Sequence, residues 1–144
     1  LSNGQIIVNA SGTDLVRLIL NGTEITNSTG SALLIENSQK TIINLAEGTQ
    51  NVITDGSSYA NPDDDPNAAI FSKSDLTIFG AGTLTVNGKY KDGITGKDGL
   101  IIRSGTIAVT AADDGIRGKD FLNVKGGTVE EAYHRAIPEE YGRA

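Results

Sequence analysis

The stretch ITGKDGLIIRSGTIAV, from Ile94 to Val109, recurs almost position for position later in the chain. The second copy, IRGKDFLNVKGGTV, begins 22 residues on at Ile116. A looser copy, IFSKSDLTIFGAGTLTV, begins 24 residues before the first at Ile70. Self-similarity at a period of about 20 to 50 residues is typical of repeat architectures, in which one supersecondary unit stacks on the next. The chain is therefore predicted to repeat one structural unit.

Apolar residues recur at every second position inside the copies, as at Leu76 and Ile78 and at Leu122 and Val124. This period of two, interrupted by glycine every few residues, predicts short strands and no helix. Short strands and glycine turns in a unit of this length predict one coil of a β-solenoid. Because parallel crossovers strongly prefer one hand, we predict an all-β, right-handed parallel β-helix. It should have about five coils, with coil lengths of about 22–26 residues.

Five Gly-Thr pairs indicate that the repeat continues along most of the chain. They are spaced by 26, 34, 23 and 22 residues and begin at Gly22, Gly48, Gly82, Gly105 and Gly127. The step of 34 contains an inserted loop, residues 55–67, whose Pro, Gly and Asp content excludes a strand. We therefore predict a single solenoid domain over residues 1–144 with one inserted acidic loop.

Two rules compete for the last segment, residues 129–144. A capping-box pattern, Thr128 to Glu131, followed by apolar residues at helical spacing predicts a short capping helix. The pair Gly127-Thr128, however, lies at the strand position of the repeat, which favours another turn of the solenoid. We favour an irregular terminal coil and keep the cap as the alternative.

The composition excludes several classes of protein. No run reaches the ~18 apolar residues that a membrane helix needs, and the lack of cysteine excludes disulfides and thiolate metal sites. A net charge of −6 disfavours nucleic acid, whose binding depends on neutralising phosphates. The acidic balance fits an extracellular protein that handles cations. The absence of methionine, position 1 included, is what removal of a leader would leave, so we expect a secreted or cell-surface protein.

Aspartates at equivalent positions of the repeat predict a metal site. In a parallel solenoid, equivalent residues of adjacent coils lie about 4.8 Å apart, so Asp92 is expected to stack on Asp114 with Asp113 beside them. Carboxylates this close repel, so one of them holds a proton or a cation lies between them. Oxygen ligands without Cys or His favour Ca²⁺. The same chemistry makes the inserted loop a second candidate calcium site, at Asp63, Asp64 and Asp65.

A second predicted carboxylate pair, Asp98 on Asp120, has a plainer explanation. Lys73, Lys97 and Lys119 stack in the neighbouring column and would neutralise this pair without a metal ion. We therefore assign no metal to it.

Several motifs resemble a known family, among them Ser72-Lys-Ser-Asp-Leu-Thr-Ile78, Gly82-Thr-Leu84 and Asp113-Asp-Gly-Ile116. On these motifs, residues 5–128 resemble secreted prokaryotic carbohydrate-binding domain proteins. The resemblance implies a right-handed parallel β-helix similar in shape to pectate lyases. It also implies calcium near the aspartates named above and binding of an acidic plant polysaccharide such as polygalacturonate.

For the carbohydrate ligand that the resemblance implies, aromatic and basic side chains are the candidate contacts. Tryptophan is absent and the chain has four tyrosines, so few rings are available to stack on a sugar. The candidate sugar-binding set combines two tyrosines with three cations: Tyr59, Tyr90, Lys97, Lys119 and Arg117. Arg117 beside bound Ca²⁺ would be the base if the protein were a polyuronate lyase; otherwise no catalytic residue is predicted. The single histidine, His134, is expected at the surface.

Three functions are consistent with these features. The first is an extracellular, calcium-associated, non-catalytic module that binds acidic polysaccharide. The second is a structural subunit that stacks end to end into an extracellular filament, because neither end of the solenoid has a convincing polar cap. The third is a calcium-dependent polyuronate lyase. We favour the first function.

Overall fold

The computed structural model describes residues 3–63 and 66–132, and the side chains within them up to residue 130. All regular structure in this part of the chain is β-strand. No described segment forms an apolar helix of the length that crossing a bilayer requires. The strands are β1 (Ile6–Asn9), β2 (Leu15–Leu20), β3 (Glu24–Thr26), β4 (Leu33–Asn37), β5 (Lys40–Leu45), β6 (Gln50–Thr54), β7 (Ala68–Ser72), β8 (Asp75–Gly80), β9 (Thr83–Gly88), β10 (Asp92–Gly96), β11 (Gly99–Ile102), β12 (Thr106–Ala111), β13 (Ile116–Gly118), β14 (Phe121–Val124) and β15 (Thr128–Ala132).

The strands form three parallel five-stranded sheets. The first sheet has the order β1-β4-β7-β10-β13, the second β2-β5-β8-β11-β14 and the third β3-β6-β9-β12-β15. Every third strand along the chain joins the same sheet, so three consecutive strands make one coil. The described residues thus make five coils, and the predicted all-β parallel solenoid is confirmed.

Strand register in the first sheet shows how the repeat maps onto the coils. Successive partners are Ile6, Leu33, Ile70, Ile94 and Ile116, which are 27, 37, 24 and 22 residues apart. The shortest step equals the offset of the best sequence repeat. The longest step contains the inserted loop, which connects β6 to β7.

Aliphatic ladders fill the interior of the solenoid. Alternate residues of each strand point inward, and equivalent inward residues of adjacent coils touch. Fully burying one such side chain stabilises the fold by about 1.5–3 kcal/mol. Side chains with no exposed surface include Leu33, Ile35, Ile43, Ile53, Ile70, Ile78, Leu84, Val86, Ile94, Leu100, Ile102, Ile107 and Ile116.

The Gly-Thr pairs mark the turns between the second and third sheets. Four of their glycines have the positive φ that favours glycine, namely Gly22, Gly48, Gly105 and Gly127. In the third coil the positive φ falls at Gly80 instead of Gly82. Buried Asn51 joins the first two coils here, because its Oδ1 accepts the N–H groups of Gly22 at 2.9 Å and Thr23 at 2.8 Å.

The two ends of the described solenoid differ. β15 pairs in parallel with β12, with Glu131 in register with Val109, so residues 128–132 form a further strand of the third sheet. The rest of the predicted terminal segment, including His134, lies outside the described residues. In the first coil, inward Leu18 is half-buried, whereas its partner Ile43 is fully buried. The core is therefore less covered at its first coil than in the middle.

Candidate functional site

The connections from the third sheet to the first sheet of the next coil lie along one edge of the solenoid, which we call the loop corner. Its described residues are 27–32, 55–63, 66–67, 89–91 and 112–115. The inserted loop belongs to this edge, and the connections at the other two corners have at most five residues. Binding residues are commonly carried by loops that a rigid scaffold positions.

Three aspartates at the loop corner, Asp92, Asp113 and Asp114, form a cluster that could hold a metal ion. One carboxylate oxygen from each lies within 4.8 Å of the other two. Asp92 and Asp114 are each 1% exposed, and Asp113 is half-buried. We call this cluster the acid triad. The structure thus brings together the three residues that the repeat offset placed side by side.

Contacts between adjacent coils hold the acid triad in place. The Gly93 N–H donates to the Asp114 carbonyl at 3.0 Å. The Asp92 carboxylate accepts the Asp114 N–H at 3.2 Å and the Thr95 hydroxyl at 2.9 Å. A Cβ at position 93 would come within 2.7 Å of the Gly115 carbonyl oxygen in the next coil and within 2.2 Å of Val109 Cγ1 in its own coil, so only glycine fits at this approach of the coils.

Burial sets the electrostatics of the triad. It raises the pKa of Asp92, and the negative charges of Asp114 and Asp113 raise it further. The hydrogen bonds from Thr95 and from the Asp114 N–H lower this pKa, but their combined effect is smaller than that of burial and the two charges. A buried carboxylate with a raised pKa takes up either a proton or a cation. Three carboxylates with oxygen-only chemistry suit a hard divalent cation better than a soft one.

The second predicted calcium site is described only in part. Asp63 is exposed on the inserted loop, and Asp64 and Asp65 lie outside the described residues. The acid triad is the metal-competent cluster that the described part of the chain contains.

The lysines of the predicted sugar-binding set lie at a different corner. Lys97 and Lys119 occupy the turns between the first and second sheets, where Lys97 is half-buried and Lys119 is exposed. Burial and the charges of Asp75 and Asp120 raise the pKa of Asp98, while Lys97 lowers it. This column is thus a ladder of neighbouring charges that includes both signs.

Arg117 lies between these two corners on β13. Its partner in the register is Thr95, whose hydroxyl binds Asp92. Arg117 therefore belongs to the sheet face that carries the acid triad. It is half-buried.

The two predicted tyrosines stack on each other at the loop corner. The ring centroids of Tyr59 and Tyr90 are 4.1 Å apart, with 20° between the ring planes. The Lys91 Nζ lies 5.3 Å from the Tyr90 ring centroid, within the range of a cation–π contact. Tyr59 donates its hydroxyl proton to buried Asp55, which also accepts the Lys89 N–H at 2.6 Å. Tyr59 is therefore a fixed, 9% exposed ring instead of an open platform.

Burial dominates the electrostatics of this pair. It raises the pKa of Asp55, although the hydrogen bonds from Tyr59 and from the Lys89 N–H lower this pKa. It also raises the pKa of Tyr59, with the Asp55 hydrogen bond and charge adding to the effect. Tyr59 therefore remains a hydrogen-bond donor at any ordinary pH.

Sequence reasoning did not assign Asp55 a role. A signal was available, because an Asp-Gly pair occurs at this edge three times, after β6, at the start of β10 and before β13: Asp55-Gly56, Asp92-Gly93 and Asp114-Gly115. A Cβ at position 56 would come within 2.1 Å of the Ser28 carbonyl oxygen. The repeated Asp-Gly pair thus marks places where adjacent coils approach closely beside a buried carboxylate.

Two depressions flank the tyrosine stack along the loop corner. One encloses about 250 Å³ beside the inserted loop and is lined by residues that include Asn27, Ser31 and Tyr59. The other encloses about 350 Å³ and is lined by residues that include Lys89 and Thr110. The lining of the second depression includes a lysine, Lys89, and the acid triad begins shortly after it in the sequence, at Asp92.

A parallel β-solenoid with polar depressions and an acid triad along one edge is the architecture of this chain, and comparison with known proteins gives its family. The family model described as carbohydrate-binding domain-containing protein matches residues 1–136. The chain belongs to this family. This agrees with the resemblance seen in the sequence motifs.

Two similar proteins extend the comparison. A carbohydrate-binding domain-containing protein of Acetivibrio thermocellus is 40% identical over 113 residues, which is 76% of this chain and 40% of that protein. A solved structure, the gadolinium derivative of the polysaccharide lyase-like protein from C. thermocellum, superposes with a TM-score of 0.79 at 32% identity. That match covers 92% of this chain and 66% of the other. The chain thus spans less than two thirds of either protein's length.

Proposed function

We propose that this domain is an extracellular, non-catalytic carbohydrate-binding module that takes acidic polysaccharide at the loop corner, with Ca²⁺ held by the acid triad. The observation that carries the proposal is the pair of carboxylates, Asp92 and Asp114, each 1% exposed and within reach of Asp113. Two carboxylates buried together are costly unless a proton or a cation neutralises them. Calcium takes six to eight oxygen ligands, so three carboxylates would leave positions for ligand oxygens from outside the protein.

Charge supports a bridging cation. The protein carries a net charge of −6, so an acidic polysaccharide meets overall repulsion at its surface. A divalent ion coordinated by both protein and sugar carboxylates would remove that repulsion at the point of contact. Family membership supports carbohydrate as the ligand class.

The surface beside the triad supports the same ligand. Exposed Lys89 and Lys91 flank the tyrosine stack, and the Lys89 depression has room for a sugar unit next to the triad. Lysine acts as a point charge for an anionic group. Tyr90 is half-buried, with Tyr59 stacked on its ring and Lys91 Nζ over it, so it adds a partial apolar surface and not a stacking platform.

The lyase alternative depends on Arg117. This residue lies on the same sheet face as the triad, which is the position that the lyase alternative requires. A guanidinium holds its proton in proteins, so a lyase base of this type requires surroundings that withdraw the proton. The buried aspartates of the triad stabilise a positive charge on this face, which favours binding over proton abstraction.

The filament alternative depends on the first coil. Ile6 and Leu18 are half-buried there, whereas their partners Leu33 and Ile43 have no exposed surface. A second subunit stacked on this coil would cover them, and a contact of this heterologous kind propagates. We rank it below the binding module because it leaves the acid triad without a role.

Incubation with polygalacturonate separates the three functions. We expect the protein to be retained by immobilised polygalacturonate in millimolar calcium and released by chelator, with no product that absorbs in the ultraviolet. The variant Asp113→Asn is expected to lose at least about tenfold in affinity, since one charged ligand of the ion is gone. The matched control is Asp120→Asn, which removes an exposed carboxylate at another corner.

Each alternative has its own signature in this experiment. Unsaturated product would establish the lyase and end the non-catalytic proposal. Retained protein that sediments as a growing oligomer instead of a single chain would favour the filament. Retention that is equal in calcium and in chelator would remove the calcium bridge.

A further inference from the structure

The 250 Å³ depression at the first two coils has a lining unlike that of the acid triad. None of its described lining residues is a lysine, arginine, histidine, aspartate or glutamate. Instead, amides and hydroxyls supply the polar groups. They come from Gln5, Asn27, Thr29, Ser31 and Asn61.

We propose that this pocket binds one neutral sugar unit, at a chain end or a side branch of the polysaccharide, without a cation. The inference rests on the proposed carbohydrate-binding function and adds a second subsite to it. The pocket lies on the same loop corner as the acid triad, on the other side of the tyrosine stack. One polysaccharide could therefore contact both.

The polar groups of the pocket are held in place and keep bonding capacity. The Gln5 amide donates to the Ser31 carbonyl at 2.7 Å, and the Asn27 amide donates to the same oxygen at 2.9 Å. Each amide nitrogen has a second N–H that this bond does not use. Asn27 is only 7% exposed, so its orientation is fixed before a ligand arrives. Preorganised groups of this kind bind hydroxyls at a low entropic cost.

The apolar part of the wall is equally rigid. Tyr59 lines the pocket, with Tyr90 stacked on one ring face and Asp55 holding its hydroxyl. Leu34 and Pro66 add apolar surface beside it. A sugar ring presents hydroxyls at its edge and C–H groups on its faces, so a wall that combines amides with an aromatic ring suits it.

Size and charge narrow the ligand further. A volume of about 250 Å³ corresponds to about eight water molecules, which is enough space for one pyranose or furanose unit. A uronate carboxylate would lose its hydration here without a cationic partner and would approach buried Asp55 behind Tyr59. The pocket therefore favours a neutral unit.

A glycine at the pocket wall provides a sharp test. The nearest atom to a Cβ at Gly30 is Asn27 Nδ2 at 3.8 Å, and the backbone there lies outside the left-handed region, so Gly30→Leu fills the pocket without strain. Gly12 is the matched control. A Cβ there meets only Asn37 Oδ1 at 3.9 Å, and Gly12 is exposed in a turn away from the pocket.

Saturation-transfer NMR and calorimetry in chelator, with methyl glycosides of galactose, glucose, xylose, arabinose and rhamnose, give the readout. We expect at least one glycoside to bind the natural protein and Gly12→Leu equally. Gly30→Leu is expected to weaken that binding at least tenfold while melting at the same temperature as Gly12→Leu. Calcium-dependent retention of Gly30→Leu on polygalacturonate should stay unchanged.

Two results would overturn the inference. One is that no glycoside binds the natural protein in chelator; the other is that Gly30→Leu binds as well as Gly12→Leu. If retention on polygalacturonate persists in either case, the neutral subsite fails alone and the proposed function stands. Loss of polygalacturonate binding in Gly30→Leu would also overturn it, because pocket and triad would then be one site.

Discussion

Calcium at one hundred times its dissociation constant is expected to raise the melting temperature of the metal-free protein by about 8 °C. A ligand that binds only the native state at this concentration stabilises it by about 2.7 kcal/mol, and about 1 kcal/mol moves the melting temperature of a domain of this size by about 3 °C. Differential scanning calorimetry of chelated protein, with and without calcium, measures the shift.

The size of this shift should depend on pH. Burial raises the pKa of Asp92 above its usual value of 3.8, so in the metal-free protein the native state holds this proton more tightly than the unfolded chain. The stability contributed by the protonated group is fully present below pH 3.8 and is lost as pH rises through the raised pKa. A calcium ion bound at the acid triad would take the place of that proton, so its stabilisation is expected to be larger at pH 7 than at pH 4.

Variants assign the effect to the acid triad. Asp113→Asn is expected to abolish most of the calcium-dependent shift, whereas Asp120→Asn, at an exposed position of another corner, should keep it. Melting curves that superimpose with calcium and with chelator would contradict the calcium site. An equal shift in both variants would place the ion elsewhere.

Ile94→Ala is expected to cost about 2–5 kcal/mol of unfolding free energy, because it leaves a cavity in the centre of the core. Ile94 has no exposed surface and lies between Ile70 and Ile116, which are also fully buried. The change weakens the contacts of one coil with both neighbours, and in a solenoid these nearest-neighbour contacts supply much of the stability.

The control for this prediction is the same substitution at an exposed position. Ile7 is 53% exposed on β1, so Ile7→Ala should change the unfolding free energy by about 0.5 kcal/mol or less. Urea unfolding followed by circular dichroism measures both variants. Equal losses would mean that the inward and outward faces of the first sheet are misassigned.

The fold could be predicted from the sequence because the repeat carries the register. A shift of one residue would turn the inward rung of Ile70, Ile94 and Ile116 outward, so the alternation and the 22-residue offset together allow one alignment. The same register predicts that Asp92 lies beside Asp114, because the two residues occupy equivalent positions of adjacent coils. For this part of the site, sequence distance translates directly into contact.

The rest of the site lies where the repeat is interrupted. Tyr59 belongs to the inserted loop and has no counterpart in the other coils, so no offset predicts that it meets Asp55 or stacks on Tyr90. The neutral pocket also depends on this loop. For Lys97 the difficulty is a different one. The repeat predicts that Lys97 stacks with its equivalents in adjacent coils, but it does not predict at which corner of the solenoid this column lies.

Calorimetric titration of calcium into the metal-free protein, alone and with saturating oligogalacturonate, tests most directly whether the ion and the acidic sugar share one site. If the acid triad holds an ion that also coordinates the sugar, each ligand must strengthen the other by the same factor. We expect one calcium per chain, a calcium affinity that rises at least tenfold with the sugar, and loss of both effects in Asp113→Asn. A calcium affinity that is the same with and without oligogalacturonate would contradict this account.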